Sequence, residues 1–311
     1  MTASPTIGFI GLGTMGEPMC GNLVRKSGAP VIAFDVAPEP LARLRAEGAA
    51  AAASVREVAA GADVVFVCLP SGRHVRELFE GPDGILASVR AQRGQTFVDL
   101  GTSPVGLARE LAGRLGALGA TFADAPIART RQAAQDGTLS IMVGADQAVF
   151  ARIEPLLRCC ASEVTHCGPV GTGQVVKILN NMVLFETVNA LAEALAIGRR
   201  AGVAPAMLLA TFAKGSADSF ALRNHGMKAM LPRTFPERAF STEYALKDLG
   251  YALDLAREVG VSARGAEVVG AILADTVASG LGAAYWPALL EVVDRHPVIP
   301  AGREAREPGS G

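Results

Sequence analysis

An apolar run, Ile7-Gly8-Phe9-Ile10, passes directly into Gly11-Leu12-Gly13-Thr14-Met15-Gly16, and an amphipathic segment opens at the last glycine. Few folds tolerate this succession. A strand must stop in a tight turn, the backbone must approach a neighbour or ligand unobstructed, and a helix must start against the strand just left. The first, second and third glycines meet those needs in order. A helix N-terminus placed there offers unpaired N–H groups and the positive end of its dipole to an anion. Asp35 stands 22 residues beyond Gly13, at the end of the next apolar run. A carboxylate at that point hydrogen-bonds a ribose 2′-hydroxyl and repels a 2′-phosphate. The combination predicts a dinucleotide cofactor held by Gly11, Gly13, Thr14, Met15, Gly16 and Asp35, with NAD preferred to NADP.

The rest of the first half repeats the alternation. Short β-branched runs at 7–10, 31–34, 64–69, 96–100, 121–124 and 139–143 are separated by helical stretches such as 41–47, 75–79 and 106–118. Strand–helix–strand spacing of this kind predicts a mostly parallel sheet covered on both faces. Ligands of such sheets lie outside the carboxyl ends of the strands. Leu69-Pro70-Ser71 and Gly101-Thr102-Ser103-Pro104 fall there, so Leu69 and Pro70 are candidates to line the cofactor and Thr102 to hydrogen-bond it; each also reads as an ordinary turn. At Gly168-Pro169-Val170-Gly171-Thr172-Gly173 the pattern changes, and long helical periods follow at 174–200, 206–214, 244–259, 263–279 and 287–293. The first would be about 40 Å long. The expected architecture is α/β: an N-terminal Rossmann-type doubly wound parallel sheet over 1–168, then an all-helical domain for substrate binding and oligomerisation over 169–296, joined by a long bridging helix. Residues 297–311, rich in proline, glycine and charge, are expected to be a loose tail.

Composition removes several classes. The net charge is −1 and the 29 basic residues are scattered, which argues against nucleic acid or an acidic membrane surface as partner. The most apolar segment, 175–196, is interrupted by Lys177, Asn180, Asn181, Glu186, Asn189 and Glu193, so no membrane partner is expected. The five cysteines lack the spacing of a disulfide framework or a zinc site. No metal is predicted, and with no secretory pattern at the start the expected location is the cytoplasm.

The start of the long helix carries the chemistry. Lys177, Asn180 and Asn181 are spaced i, i+3 and i+4 and share a helical face. A partly desolvated lysine has a lowered pKa and can exchange a proton with a hydroxyl, while amides can hold an acid group. The same residues also fit a lysine lying along a packed helix with amides capping nearby loops.

At this point a resemblance becomes specific. Phe9 through Met19 with Asn22-Leu23, Asp124-Ala125-Pro126 through Gly137-Thr138-Leu139, Gly171-Thr172-Gly173 with Lys177 and Asn180-Asn181, and Leu246-Lys247-Asp248-Leu249 occur in order. The chain thereby resembles the β-hydroxyacid dehydrogenases from residue 6 to about 293. The resemblance implies hydride transfer between NAD and a small anionic hydroxyacid or its semialdehyde, with Lys177 as general acid/base. It further implies that Asn180 and Asn181 orient the substrate, that Lys247 reaches cofactor or substrate, that Asp248 orders its helix, and that the protein is a homodimer or homotetramer. The chain departs from the family at Ala128-Arg129-Thr130, where many members carry Ser-Gly-Gly. Arg129 and Thr130 are therefore candidate contacts for the substrate's anionic group, and the variation is similar to the sulfolactaldehyde and 4-hydroxybutyrate reductase branch. Trp286 stands where relatives often carry an aspartate nearby, and is expected to line the cleft or pack against another subunit. The alternatives are an imine reductase-like enzyme, in which the family lysine is usually replaced, and a non-catalytic NAD-binding scaffold, which has no need of Lys177, the two amides and Arg129 together.

Overall fold

The computed structural model describes residues 4–88, 94–237 and 239–295; the expected tail, 297–311, lies outside them. The chain separates into two compact units, Met1–Asn180 and Asn181–Gly311.

In the first unit β1 (Ile7–Ile10), α1 (Gly16–Lys26), β2 (Val31–Phe34), α2 (Pro38–Glu47), β3 (Ala50–Ala51), α3 (Val55–Gly61), β4 (Val64–Val67), α4 (Gly72–Glu80), β5 (Thr96–Asp99), α5 (Val105–Ala117) and β6 (Thr121–Asp124) follow one another. Strands β1 to β6 pair in parallel in the order β3-β2-β1-β4-β5-β6, the doubly wound arrangement of a dinucleotide-binding sheet. Then come β7 (Ile127–Ala128), α6 (Arg131–Asp136), β8 (Leu139–Gly144), α7 (Gln147–Leu157) and β9 (Ala161–Gly168). Strand β8 is antiparallel to β6 and β7 and parallel to β9. Alternation along the strands sends Phe9, Val64, Phe66 and Val98 into one buried cluster with Met19, Leu23 and Ile153. Ile10, Val65, Val67 and Phe97 enter another with Val58, Val75, Phe79 and Leu111. Both faces of the central strands are thus covered, which is why they read as continuous apolar runs.

Helix α8 (Thr172–Arg200) begins in the first unit and continues into the second. The sequence placed the domain boundary at 168|169; the division in space falls a dozen residues later, because the first turn of α8 is bonded to the sheet of the first unit. By length and composition alone α8 could cross a bilayer, yet Ile178, Phe185, Val188, Leu191, Ala192 and Leu195 along it are buried within the protein.

The second unit contains the remainder of α8, α9 (Pro205–Phe212), a π-helical stretch Leu222–Met230, α10 (Thr242–Glu258), α11 (Arg264–Thr276) and α12 (Leu289–Arg295). Trp286 is 1% exposed, meeting Phe185 edge-on at 4.8 Å and His225 at 5.1 Å between ring centroids. It is a core residue of this unit, where it was expected to line the cleft or pack against another subunit.

Candidate active site

The glycine turn shows why its residue types are needed. Gly11 has φ +94°, and a Cβ there would stand 2.3 Å from the Cys68 carbonyl oxygen; at Gly16 a Cβ would meet the Gly11 oxygen at 2.0 Å. At Gly13 nothing lies within 4 Å of that position. The outer glycines are therefore fixed by packing of the chain on itself, and the middle one opens onto free space where a pyrophosphate can approach. Met15 caps α1 without a side-chain bond; Glu17 N donates to Gly13 O at 3.1 Å and Pro18 has no N–H, so what the helix start offers an anion is the end of its dipole and the open backbone around Gly13. A dinucleotide fits this cradle, with Thr14 and Met15 at the helix start.

Asp35 closes the cradle from β2. Its Oδ2 accepts from Leu12 N at 2.5 Å and its Oδ1 from Ala37 N at 2.7 Å. Each carboxylate oxygen keeps further lone-pair capacity for a ribose hydroxyl. No basic residue occurs between Asp35 and Arg43, and the Arg43 Nε donates to Glu17 at 2.5 Å. The stretch therefore offers no cation of its own to a 2′-phosphate. Leu69, half-buried, and Pro70, exposed, follow β4; Thr102, half-buried, follows β5. All stand at the carboxyl edge of the parallel strands.

The lysine helix is anchored to that edge by Asp124, the last residue of β6 and fully buried. Its Oδ1 accepts from Gly171 N at 2.6 Å and its Oδ2 from Gln174 N at 2.7 Å, so a carboxylate holds the first turn of α8. Burial pushes its pKa up to about 6, against the pull of those two amides and of Arg109. The neighbouring glycines follow from this carboxylate: a Cβ at Gly144 would lie 2.4 Å from Asp124 Oδ1, and one at Gly173 would lie 2.8 Å from Oδ2. Gly171-Thr172-Gly173 is thus the backbone clearance that lets a helix dock on a buried acid. Lys177, half-buried, and Asn180, exposed, project from the turns that follow.

Arg129 and Thr130 come off the β7 hairpin. Arg129 is exposed and takes a left-handed conformation, φ 86°. Its Nη1 donates to Thr138 O at 2.5 Å and to Ser162 Oγ at 2.8 Å, so part of the guanidinium expected on substrate serves to tie β7 to β8 and β9. Thr130 Oγ1 accepts from Ala133 N at 3.3 Å as the N-cap of α6, a local role that reading it as a substrate ligand did not include.

In the second unit Asn181 is 4% exposed and its Nδ2 donates to Asp248 Oδ2 at 2.8 Å, joining α8 to α10. Asp248 therefore orders more than its own helix. The Lys247 Nζ lies 2.9 Å from Asp248 Oδ1 and sits over Tyr244 and Tyr251, 5.0 and 5.2 Å from their ring centres. These aromatic residues, at i−3 and i+4, were not singled out in the sequence; their helical spacing about Lys247 was the available signal. Neither were Asp99 and Gln174, whose polar side chains are buried at strand and helix ends. Among the described residues no His, Cys, Asp and Glu cluster suits a metal ion.

Residues 6–168 match the NAD-binding domain of 6-phosphogluconate dehydrogenase, and residues 171–293 match the NAD-binding domain of NADP-dependent 3-hydroxyisobutyrate dehydrogenase. The chain is 35% identical to 2-(hydroxymethyl)glutarate dehydrogenase of Eubacterium barkeri, over 94% of this chain and 96% of that protein. It is 38% identical to 3-hydroxyisobutyrate dehydrogenase of Pseudomonas aeruginosa, over 82% and 87%. Among solved structures, 3-hydroxyisobutyrate dehydrogenase of Mycobacterium tuberculosis with L-serine superposes with a TM-score of 0.84 at 32% identity, covering 93% of this chain and 99% of that one. Psf3 in complex with NADP+ and 2-OPP gives 0.78 at 26% identity, covering 92% and 99%.

Proposed function

The chain belongs to the β-hydroxyacid dehydrogenase family, and on that premise we propose that it transfers a hydride between NAD and the carbinol carbon of a small anionic hydroxyacid, with Lys177 as the acid/base group. The observation that carries this reading is the anchoring of the Lys177 helix, through Asp124, to the same sheet edge that bears the glycine cradle. The nicotinamide, when bound, supplies the hydride acceptor or donor. In the oxidative direction Lys177 Nζ takes the hydroxyl proton as the C–H bond breaks and the carbonyl forms; in reduction it returns that proton to the alkoxide oxygen.

The relatives' names support a reading of the substrate class. 3-Hydroxyisobutyrate, 2-(hydroxymethyl)glutarate and L-serine share the unit HO–CH2–CH(R)–COO−. We assign the same unit to this protein's substrate, or the matching semialdehyde, with the exposed Asn180 and Arg129 as contacts for its anionic group. The Asp35 carboxylate and the lack of a nearby cation support NAD over NADP, although one of the solved relatives holds NADP+. Exposed Val183, Ile197, Phe220 and Val268 in the second unit support self-association, and five free cysteines support a reducing, cytoplasmic setting.

The test follows NADH absorbance with the native protein and Lys177→Ala on 3-hydroxyisobutyrate, L-serine, 2-(hydroxymethyl)glutarate and 4-hydroxybutyrate, with NAD and NADP in parallel. Lys177→Ala is expected to lower kcat by about 1,000-fold, within the range for loss of a general acid/base. Dinucleotide binding without turnover of any of these acids, and indifference to the substitution, would count for a scaffold instead.

A further inference from the structure

The Gln174 side chain joins the turn after β5 to the helix bearing Lys177. We propose that Gln174 is a positioning residue for the reaction, setting Thr102 and Lys177 on one rigid frame. The inference rests on the reading that Lys177 exchanges the proton and Thr102 faces the cofactor.

Gln174 is fully buried. Its Oε1 accepts from Ser103 N at 3.0 Å and its Nε2 donates to Gly101 O at 2.8 Å. The amide thus grips the backbone on either side of Thr102 and uses both of its ends to do so. Two further polar groups of the turn answer Asp99: Gly101 N donates to Oδ1 at 2.9 Å and Ser103 Oγ to Oδ2 at 2.7 Å. Gln174's own N–H goes to Asp124, and Asp99 and Asp124 are register partners at the ends of β5 and β6. Two neighbouring strand-end carboxylates therefore fix, one the turn and the other the helix start, while the Gln174 amide locks the two together.

A planar amide makes both bonds only while turn and helix keep one mutual orientation. Lys177 follows three residues later, less than one helical turn, so little slack separates the clamp from the lysine. With Gly101 N, Gly101 O, Ser103 N and Ser103 Oγ all engaged, the half-buried Thr102 side chain projects from a turn held on both sides. An apolar group in place of Gln174 would leave Gly101 O and Ser103 N unpaired and release the turn from the helix.

The test compares full-length native protein, Gln174→Met and Gln174→Glu by kcat, by NADH affinity from fluorescence, and by amide hydrogen exchange over residues 100–105. Gln174→Met is expected to speed exchange in the turn and to lower kcat by about 100-fold, as for a displacement of about 1 Å at the reacting centre, with a much smaller change in NADH Kd. Gln174→Glu supplies a signature that packing alone does not. Ionised, the introduced carboxyl repels Gly101 O; burial beside Asp99 and Asp124 raises its pKa against the pull of Arg109 and of Lys177 at i+3, and once protonated it regains a donor for Gly101 O. Its kcat relative to native, and its turn protection, should recover as pH falls. Native kcat and native exchange in Gln174→Met would overturn the proposal, as would losses in Gln174→Glu that acid does not reverse. If native protein turns over no hydroxyacid, the functional reading fails, and the exchange measurements still decide whether Gln174 holds the turn.

Discussion

Asp124 in the first unit and Asp248 in the second are both buried carboxylates, 0% and 2% exposed, but they are answered by different kinds of group. Asp124 accepts from two backbone amides at the start of α8. Asp248 meets the side chains of Asn181 and Lys247. Backbone donors are present in any sequence that closes this turn, so Asp124 secures architecture. Side-chain donors exist only where those residues do, so Asp248 secures the orientation of particular functional groups. The first arrangement should fail by unfolding and the second by misdirected chemistry.

The sharpest way to break this contrast is to remove each acid. Asp124→Ala leaves two buried N–H groups unmatched, at about 1–3 kcal/mol each, so urea unfolding should show a loss of about 4 kcal/mol. Asp248→Asn retains an oxygen for Asn181 and should cost only about 1 kcal/mol while raising KM. Equal losses of stability would erase the distinction.

Acid provides a second test, with opposite signs in the two units. Burial holds Asp124 up to about 6, so between pH 4 and 6 the folded chain keeps a proton that the unfolded chain sheds. Its contribution is full below about pH 4 and is lost as pH rises through 6, about 3 kcal/mol in all. His225, bonded to the Tyr285 hydroxyl at 2.7 Å, is lowered by burial to about 4. The unfolded chain takes up a proton below about pH 6.5 that the folded histidine refuses, so stability falls by about 3 kcal/mol as pH drops towards 4. Hydrogen exchange from pH 7 to 4.5 should therefore show Leu222–Met230 losing protection while the start of α8 does not. His225→Gln should flatten the loss.

The smallest expected effects come from matched caps. Thr130 caps α6 and Ser241 caps α10 through side-chain oxygens, and replacing either by alanine should cost about 1 kcal/mol in thermal or urea unfolding. If Thr130→Ala also raises KM while Ser241→Ala does not, Thr130 contacts substrate as well as capping its helix.

The parts of the fold legible in the sequence were those with strong local signals. Strands β1, β2, β4, β5, β6 and β8 are runs rich in β-branched and aromatic residues, and α8 has a long apolar period. By contrast, β3 is two alanines, β7 is two residues long, and β9 has Ser162, Glu163 and Thr165 exposed among its residues; such strands are made by pairing with a neighbour, which no local pattern reveals. Helix α7 carries Pro155, and the π-helical stretch lacks the 3.6-residue period, so both escaped notice. The glycine cradle could be read because backbone clearance restricts residue choice at fixed spacing, whereas the role given to Lys177 came from the family resemblance. The second engagement of Asp35, the Arg129 bond to Thr138, and the reach of Gln174 to residues 101 and 103 depend on where distant segments meet, and no spacing encodes that.

The way α8 starts also limits how the chain can be divided into modules. A nucleotide-binding fragment ending at residue 168, after β9, would retain the sheet but lose the amides of Gly171 and Gln174, leaving Asp124 as a buried acid without its donors. Extending the fragment to Asn180 restores them. Any exchange of halves between relatives should therefore carry the first turns of α8 with the sheet, and the portable unit includes Lys177.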